Sequence, residues 1–96
     1  MNDKPTMPTI HMNGTSVDDL LNDNVEARGA IEDAIARIQK MEFNGRDYYP
    51  VEGSFTKAVA ERMEIMKKLR DASDYFTAIA EHCSDEQVKR DERRKS

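Results

Sequence analysis

The sequence of 96 residues contains few cysteines, prolines, glycines or aromatic residues. Its single cysteine, Cys83, cannot form an internal disulfide, which is typical of a reducing compartment. Three prolines and four glycines are too few for a low-complexity chain. No apolar run approaches the roughly 20 residues that a membrane span needs, and the N-terminus has no apolar signal region. We therefore expect a cytoplasmic protein that is not exported and has no membrane partner.

The chain also lacks an excess of positive charge. It has 19 acidic and 15 basic residues, which give a formal charge of −4 at pH 7. Because nucleic-acid-binding proteins are normally basic over the binding face, we expect no nucleic-acid partner. The basic residues are denser near the C-terminus, and residues 85–96 are interpreted as a charged tail, either a fraying helix end or disordered.

Apolar residues recur at helical spacing in two long segments. Ser16 is a good N-cap, and the apolar stripe that follows it predicts a helix over about 16–42. A second stripe predicts a helix over about 54–83. The predicted fold class is therefore all-α, an antiparallel helical hairpin over residues 10–84, preceded by a flexible arm at residues 1–9.

Each apolar stripe is wider than a single contact between two helices can cover. Positions such as Leu21, Ile35, Val59, Met66 and Ala80 flank the main rows. We therefore expect self-association into a dimeric four-helix bundle or a higher homo-oligomer. The stripes themselves are interpreted as core rather than as a cofactor site.

The connector between the two predicted helices concentrates the aromatic residues. Four of the chain's six lie within residues 43–55, namely Phe43, Tyr48, Tyr49 and Phe55. In one interpretation, Phe43, Tyr48 and Phe55 form a lid that closes the end of the bundle. In the other, the lid also binds a ligand, because tyrosine rings stack on bases and apolar surfaces while their hydroxyls form hydrogen bonds.

Candidate ligand-binding residues lie in and just after this connector. Arg46 offers a planar fork for phosphate or carboxylate, and Lys57 lies in the first turn of a helix whose amides favour an anion. Asn24 and Arg62 are polar residues that interrupt the apolar stripes. In one interpretation they have structural roles, with polarity that fixes the helix register and an arginine whose charged end reaches solvent. In the other, they face a pocket between subunits. The candidate ligand-binding set is Arg46, Tyr48, Tyr49, Ser54, Lys57 and Arg62.

Patterns typical of catalytic or metal sites are missing from the sequence. His82 and Cys83 are adjacent on a predicted helix and point about 100° apart. No pair of residues has the C-x-x-C or H-x-x-x-H spacing of a metal site, and Cys83 lies at a stripe position that predicts a buried, inert thiol. We expect no enzyme activity, no catalytic residue, no bound metal and no cofactor.

Three sequence blocks carry a resemblance to known proteins: residues 11–16 (HMNGTS), 44–50 (NGRDYYP) and 78–82 (AIAEH). Over roughly residues 10–83 the chain resembles a group of small phage and prophage proteins of unassigned role, and residues 44–50 are the most specific part. In size and helical architecture it is also similar to the anti-CBASS sponges, oligomeric phage proteins that sequester cyclic nucleotide signals of bacterial defence.

These features predict a non-enzymatic, phage-type homo-oligomer that binds or sequesters a small phosphorylated ligand at a subunit interface. The resemblance implies a nucleotide immune signal as that ligand and a role against host defence. The alternative is a protein-binding inhibitor or adaptor that uses residues 43–55 to block a host defence protein. A third interpretation is a purely structural assembly protein.

Overall fold

The computed structural model describes residues 5–95, with side chains described for residues 5–93. Two α-helices run antiparallel, α1 over Val17–Gln39 and α2 over Ser54–Lys95, and a short 3-10 helix, Gly45–Tyr48, lies in the connector. The described residues contain no strand. The predicted all-α class and helical hairpin are confirmed. No helix in this part of the chain combines the length and the apolar character that crossing a membrane requires.

Helix α1 begins where the sequence predicts and ends slightly earlier. The Ser16 hydroxyl accepts a hydrogen bond from the Asp19 amide at 3.2 Å, which caps the first turn. At the other end, the amides of Lys40 and Met41 donate to carbonyls three residues back rather than four. This tight turn ends the helix before residue 42, and the chain then runs extended into the connector.

Helix α2 continues well beyond its predicted end at residue 83, so residues 85–95 are helical. Nothing in this stretch breaks a helix, because it contains neither proline nor glycine. Lys89 pairs with Glu86 one turn away at 3.5 Å, and the Gln87 amide donates to the Asp18 carboxylate in the first turn of α1. The charged C-terminal segment is therefore part of α2; residue 96 lies outside the described residues.

The predicted flexible arm, residues 1–9, is described only from residue 5. Residues 5–10 form a segment without regular secondary structure beside α2, which we call the N-terminal strap. Met7 and Ile10 pack against the core cluster of Val17, Ile79 and Cys83. The Pro8 carbonyl and the His82 Nε2 atom are 2.9 Å apart and share a hydrogen bond. A turn closed by the Gly14 amide and the His11 carbonyl then leads into α1.

The core is thin and the molecule is long. Its principal extents are 70 × 29 × 21 Å, and the radius of gyration is 19.7 Å, against about 12.5 Å for a compact domain of this length. The accessible surface is 7804 Å², whereas a compact monomer of 11.0 kDa exposes about 5,600 Å². The chain therefore exposes about 2,200 Å² more than a globular monomer would.

Three of the five residues expected to flank the main apolar rows lie in the core instead. Ile35, Met66 and Ala80 are buried. A third of a turn decides such placements, because successive helical residues differ by about 100°. Apolar residues next to these buried positions in the sequence lie outside the contact between the helices. One of them is Ile65, which is 49% exposed.

Candidate functional site

Three aromatic rings close the connector end of the hairpin. Phe43, Tyr48 and Phe55 form an aromatic cluster with ring centroids 5.4 to 5.9 Å apart, within the range of favourable edge and offset contacts. Phe43 follows α1, Tyr48 ends the 3-10 helix and Phe55 lies in the first turn of α2. These three side chains therefore form the aromatic lid that the sequence predicts at this end of the hairpin.

Arg62 closes the cluster from α2. Its guanidinium carbon lies 4.4 Å from the centroid of the Phe43 ring, a cation–π contact that the half-buried position strengthens. The other polar interruption, Asn24, donates from its side-chain amide to the Leu20 carbonyl of its own helix at 2.7 Å. Both polar residues thus have partners within this chain.

Backbone hydrogen bonds fix the shape of the connector. The Asn44 side chain accepts from the Arg46 amide at 3.0 Å and starts the 3-10 helix. The Ser54 hydroxyl donates to the Tyr48 carbonyl at 3.2 Å, and the Val51 amide donates to the same carbonyl at 3.3 Å. Gly53, with φ +79°, then turns the chain into α2.

The six candidate ligand-binding residues fall into two groups. Tyr48, Ser54 and Arg62 make the contacts that hold the connector together. The other three are exposed: Arg46 and Tyr49 beside the aromatic cluster, and Lys57 in the first turn of α2. Neither Arg46 nor Lys57 forms an ion pair with another described residue.

An apolar tip projects from this end of the molecule. Tyr49 is 83% exposed and Val51 64% exposed, and Pro50 between them is also exposed. We call residues 49–51 the exposed tip. The sequence singled out Tyr49 and missed Val51; the signal was an apolar residue directly after the proline of the connector.

The one cysteine lies far from the tip, near the other end of the hairpin. Burial raises the pKa of the Cys83 thiol above its ordinary value, and the charge of Glu86 raises this pKa further. The thiol is therefore protonated at neutral pH and a poor nucleophile. No group of three or more His, Cys, Asp or Glu side chains in residues 5–93 is placed to hold a metal ion.

Comparison with known proteins adds no relative. The chain matches no family model, and neither the curated proteins nor the solved structures contain a significant match to it. The resemblance of residues 44–50 to small phage proteins therefore remains a prediction from the sequence, and the fold and the connector are the observations on which function can be argued.

Proposed function

We propose that this chain is a non-enzymatic, cytoplasmic homo-oligomer that binds a protein partner through the exposed tip. The observation that carries the proposal is the exposure of Tyr49 and Val51 on a connector held by the aromatic cluster. Tyrosine is enriched among the residues that dominate binding energy at protein interfaces. Because hydrogen bonds already fix the backbone around the tip, little ordering free energy opposes binding.

The partner class follows from the resemblance to phage proteins. A small non-enzymatic phage protein can act by occupying a surface of a larger host protein, so the proposed role is inhibitor or adaptor toward a host defence protein. The surface excess of about 2,200 Å² supports the homo-oligomer, since isolated chains of this mass normally bury that area. An oligomer presents several tips at once and thereby gains avidity.

The test is capture of a bacterial protein by the tagged, full-length chain. We expect one protein captured in fixed stoichiometry, and we expect Tyr49→Ala combined with Val51→Ser to abolish capture. Tyr75→Ala is the matched control, because Tyr75 is also an exposed tyrosine but lies on α2 outside the connector. Equal capture by the tip variant, or no stoichiometric partner at all, would overturn the proposal.

A second candidate function is binding of a small phosphorylated ligand, a nucleotide immune signal, at a subunit interface. One observation favours it: Arg46 and Lys57 are exposed cations of the connector end, and no acidic residue lies in the first turn of α2. Tyr49 is free to stack on a base in this case. A protein that sequesters a nucleotide needs only to bind it, without converting it to a product.

A panel of cyclic and linear nucleotides, read as shifts in melting temperature, tests this candidate. A nucleotide-binding chain is stabilised by one class of the panel, and Arg46→Ala combined with Lys57→Ala removes the shift. Lys89→Ala is the control, since Lys89 lies on α2 far from the connector. A panel without any shift rejects the nucleotide function and leaves protein capture by the tip to be judged separately.

A further inference from the structure

The two long faces of the hairpin differ in chemistry. Ile35 of α1 and Ser73 of α2 are buried, and both line one groove together with Ala36 and Asp74, the residues that follow them. Glu32, Gln39 and Arg70 line the same groove, so this stretch of the face is polar. Leu21 and Val25, by contrast, line a second groove on the same side, nearer the start of α1.

The residues that precede these buried positions lie on the other face. Because successive helical residues differ by about 100°, Ala34 and Ala72 point away from the groove that Ala36 and Asp74 line. Ile65 precedes the buried Met66 in the same way. Residues three or four positions along each helix extend this surface, which we call the open face. Its members are Ile31, Ala34, Ile38, Ile65, Leu69 and Ala72.

The chain covers one half of this face itself. Ile79 precedes the buried Ala80 and therefore continues the open face toward the C-terminal half of α2. There Met7 and Ile10 of the N-terminal strap pack against the core cluster to which Ile79 belongs. Toward the connector the face is accessible: Ile65 is 49% exposed and Ala34 is exposed.

We propose that a second copy of this chain covers the open face and that the two hairpins form a four-helix bundle with two-fold symmetry. The surface excess of about 2,200 Å² is larger than the roughly 800 Å² that each partner contributes to a standard interface. Small residues at Ala34 and Ala72 let the facing helices approach closely. The inference rests on the proposed homo-oligomer and adds the face through which it forms.

The open face is also self-complementary in charge. The border of the face carries Glu61, four residues before Ile65, and Lys68, three residues after it, and both are rotated to the same side of α2. A two-fold axis that is perpendicular to α2 and passes near Ile65 makes the two copies antiparallel and places the acidic border residue of one copy toward the basic border residue of the other. A second copy therefore satisfies both the apolar centre and the charged rim.

The experiment measures the mass of the full-length chain by sedimentation equilibrium over a hundredfold range of concentration. We expect a dimer of twice 11.0 kDa and a melting temperature that rises with concentration. Ile65→Ala is expected to raise the dimer Kd at least tenfold, because a symmetric dimer carries the substitution twice. Met63→Ala is the matched control and is expected to change the Kd less than twofold, since Met63 is 67% exposed and faces away from Ile65.

Each outcome decides the inference. A wild-type chain that stays at 11.0 kDa with full helicity overturns both the dimer and the proposed homo-oligomer. A dimer that Ile65→Ala leaves intact overturns the open face alone. Loss of helix in Ile65→Ala that recovers at higher concentration supports the inference, whereas unfolding at every concentration contradicts it, because Ile65 would then stabilise the single chain.

Discussion

At the scale of single residues, Cys83 reports on how the two ends of the chain fit together. Its side chain is 0% exposed, and it is covered where the N-terminal strap meets α1 and α2. Desolvation favours the neutral thiol, which is why its pKa is raised. A buried protonated thiol reacts only when the strap or the helix end moves away, so its chemistry measures that opening.

We predict that Cys83 reacts slowly with a thiol reagent at pH 7 and that the rate continues to rise above pH 8.5, where an ordinary thiol is about half ionised. The reason is the raised pKa, which shifts formation of the reactive thiolate to higher pH. Met7→Ser is expected to increase the rate at pH 7 at least tenfold by loosening the strap. Thr9→Ala, at an exposed strap position, is the control. Equal rates for both variants would show that the strap does not shield the thiol.

Arg62 shows how one polar residue in an apolar row can stabilise a fold. Its guanidinium covers the Phe43 ring, so it contributes through packing as well as charge. We predict that Arg62→Ala lowers the free energy of unfolding by about 1 kcal/mol and that Arg62→Lys restores part of it. Chemical denaturation at one protein concentration measures both changes. Arg28→Ala, at an exposed position of α1, is expected to change little; an equal loss there would refute the stacking argument.

At the scale of elements, two glycines of the chain have opposite roles. Gly53 has φ +79°, a conformation that L side chains adopt only with strain, and it joins the connector to α2. Gly29 lies inside α1, where a Cβ would meet nothing within 4 Å. A glycine inside a helix can let a second helix approach closely, but within this chain no side chain and no other element lies near Gly29.

We predict that Gly53→Ala destabilises the protein by about 1 kcal/mol and that Gly29→Ala stabilises it by about 1 kcal/mol. The first change imposes backbone strain, and the second removes flexibility from the unfolded chain and from the middle of a helix. Each variant serves as the other's control in thermal unfolding at one protein concentration. Destabilisation by Gly29→Ala would instead place a close neighbour, such as another subunit, against that position.

Helical periodicity predicted both helices because each buries an apolar stripe, which local sequence records directly. It did not predict the N-terminal strap, since residues 5–10 pack against the core without regular secondary structure and without any period. It also failed at the C-terminus. Residues 85–95 contain almost no apolar side chain, but their helix-forming residues and the Gln87–Asp18 contact keep them helical.

In the connector, composition predicted the residues of the lid but not which tyrosine faces outward. Tyr48 and Tyr49 are neighbours with the same side chain, and the sequence assigned both to ligand stacking. The 3-10 helix rotates Tyr48 into the cluster with Phe43 and Phe55, and leaves Tyr49 exposed. Such a difference depends on the backbone dihedral angles of residues 45–48, and residue types alone do not determine these.

At the scale of the whole molecule, shape separates the ways in which two copies can meet. The hairpin is 70 Å long and 29 Å or less across. Association through the exposed tip joins two hairpins end to end, whereas association through the open face places them side by side. The two-fold axis that pairs Glu61 with Lys68 of the second copy lies near Ile65, about 45 Å along α2 from its C-terminal end. A side-by-side dimer therefore spans about 90 Å.

We predict that small-angle X-ray scattering from the dimer gives a maximum dimension of about 90 Å, with a thicker cross-section than the single hairpin. Two hairpins joined at their tips would instead extend to about 140 Å. Because the tip is then unoccupied in the dimer, Tyr49→Ala combined with Val51→Ser is expected to leave the scattering curve unchanged. A dimension near the longer value, or a dimer lost with the tip variant, would show that residues 49–51 join copies of this chain and are not available to a different protein.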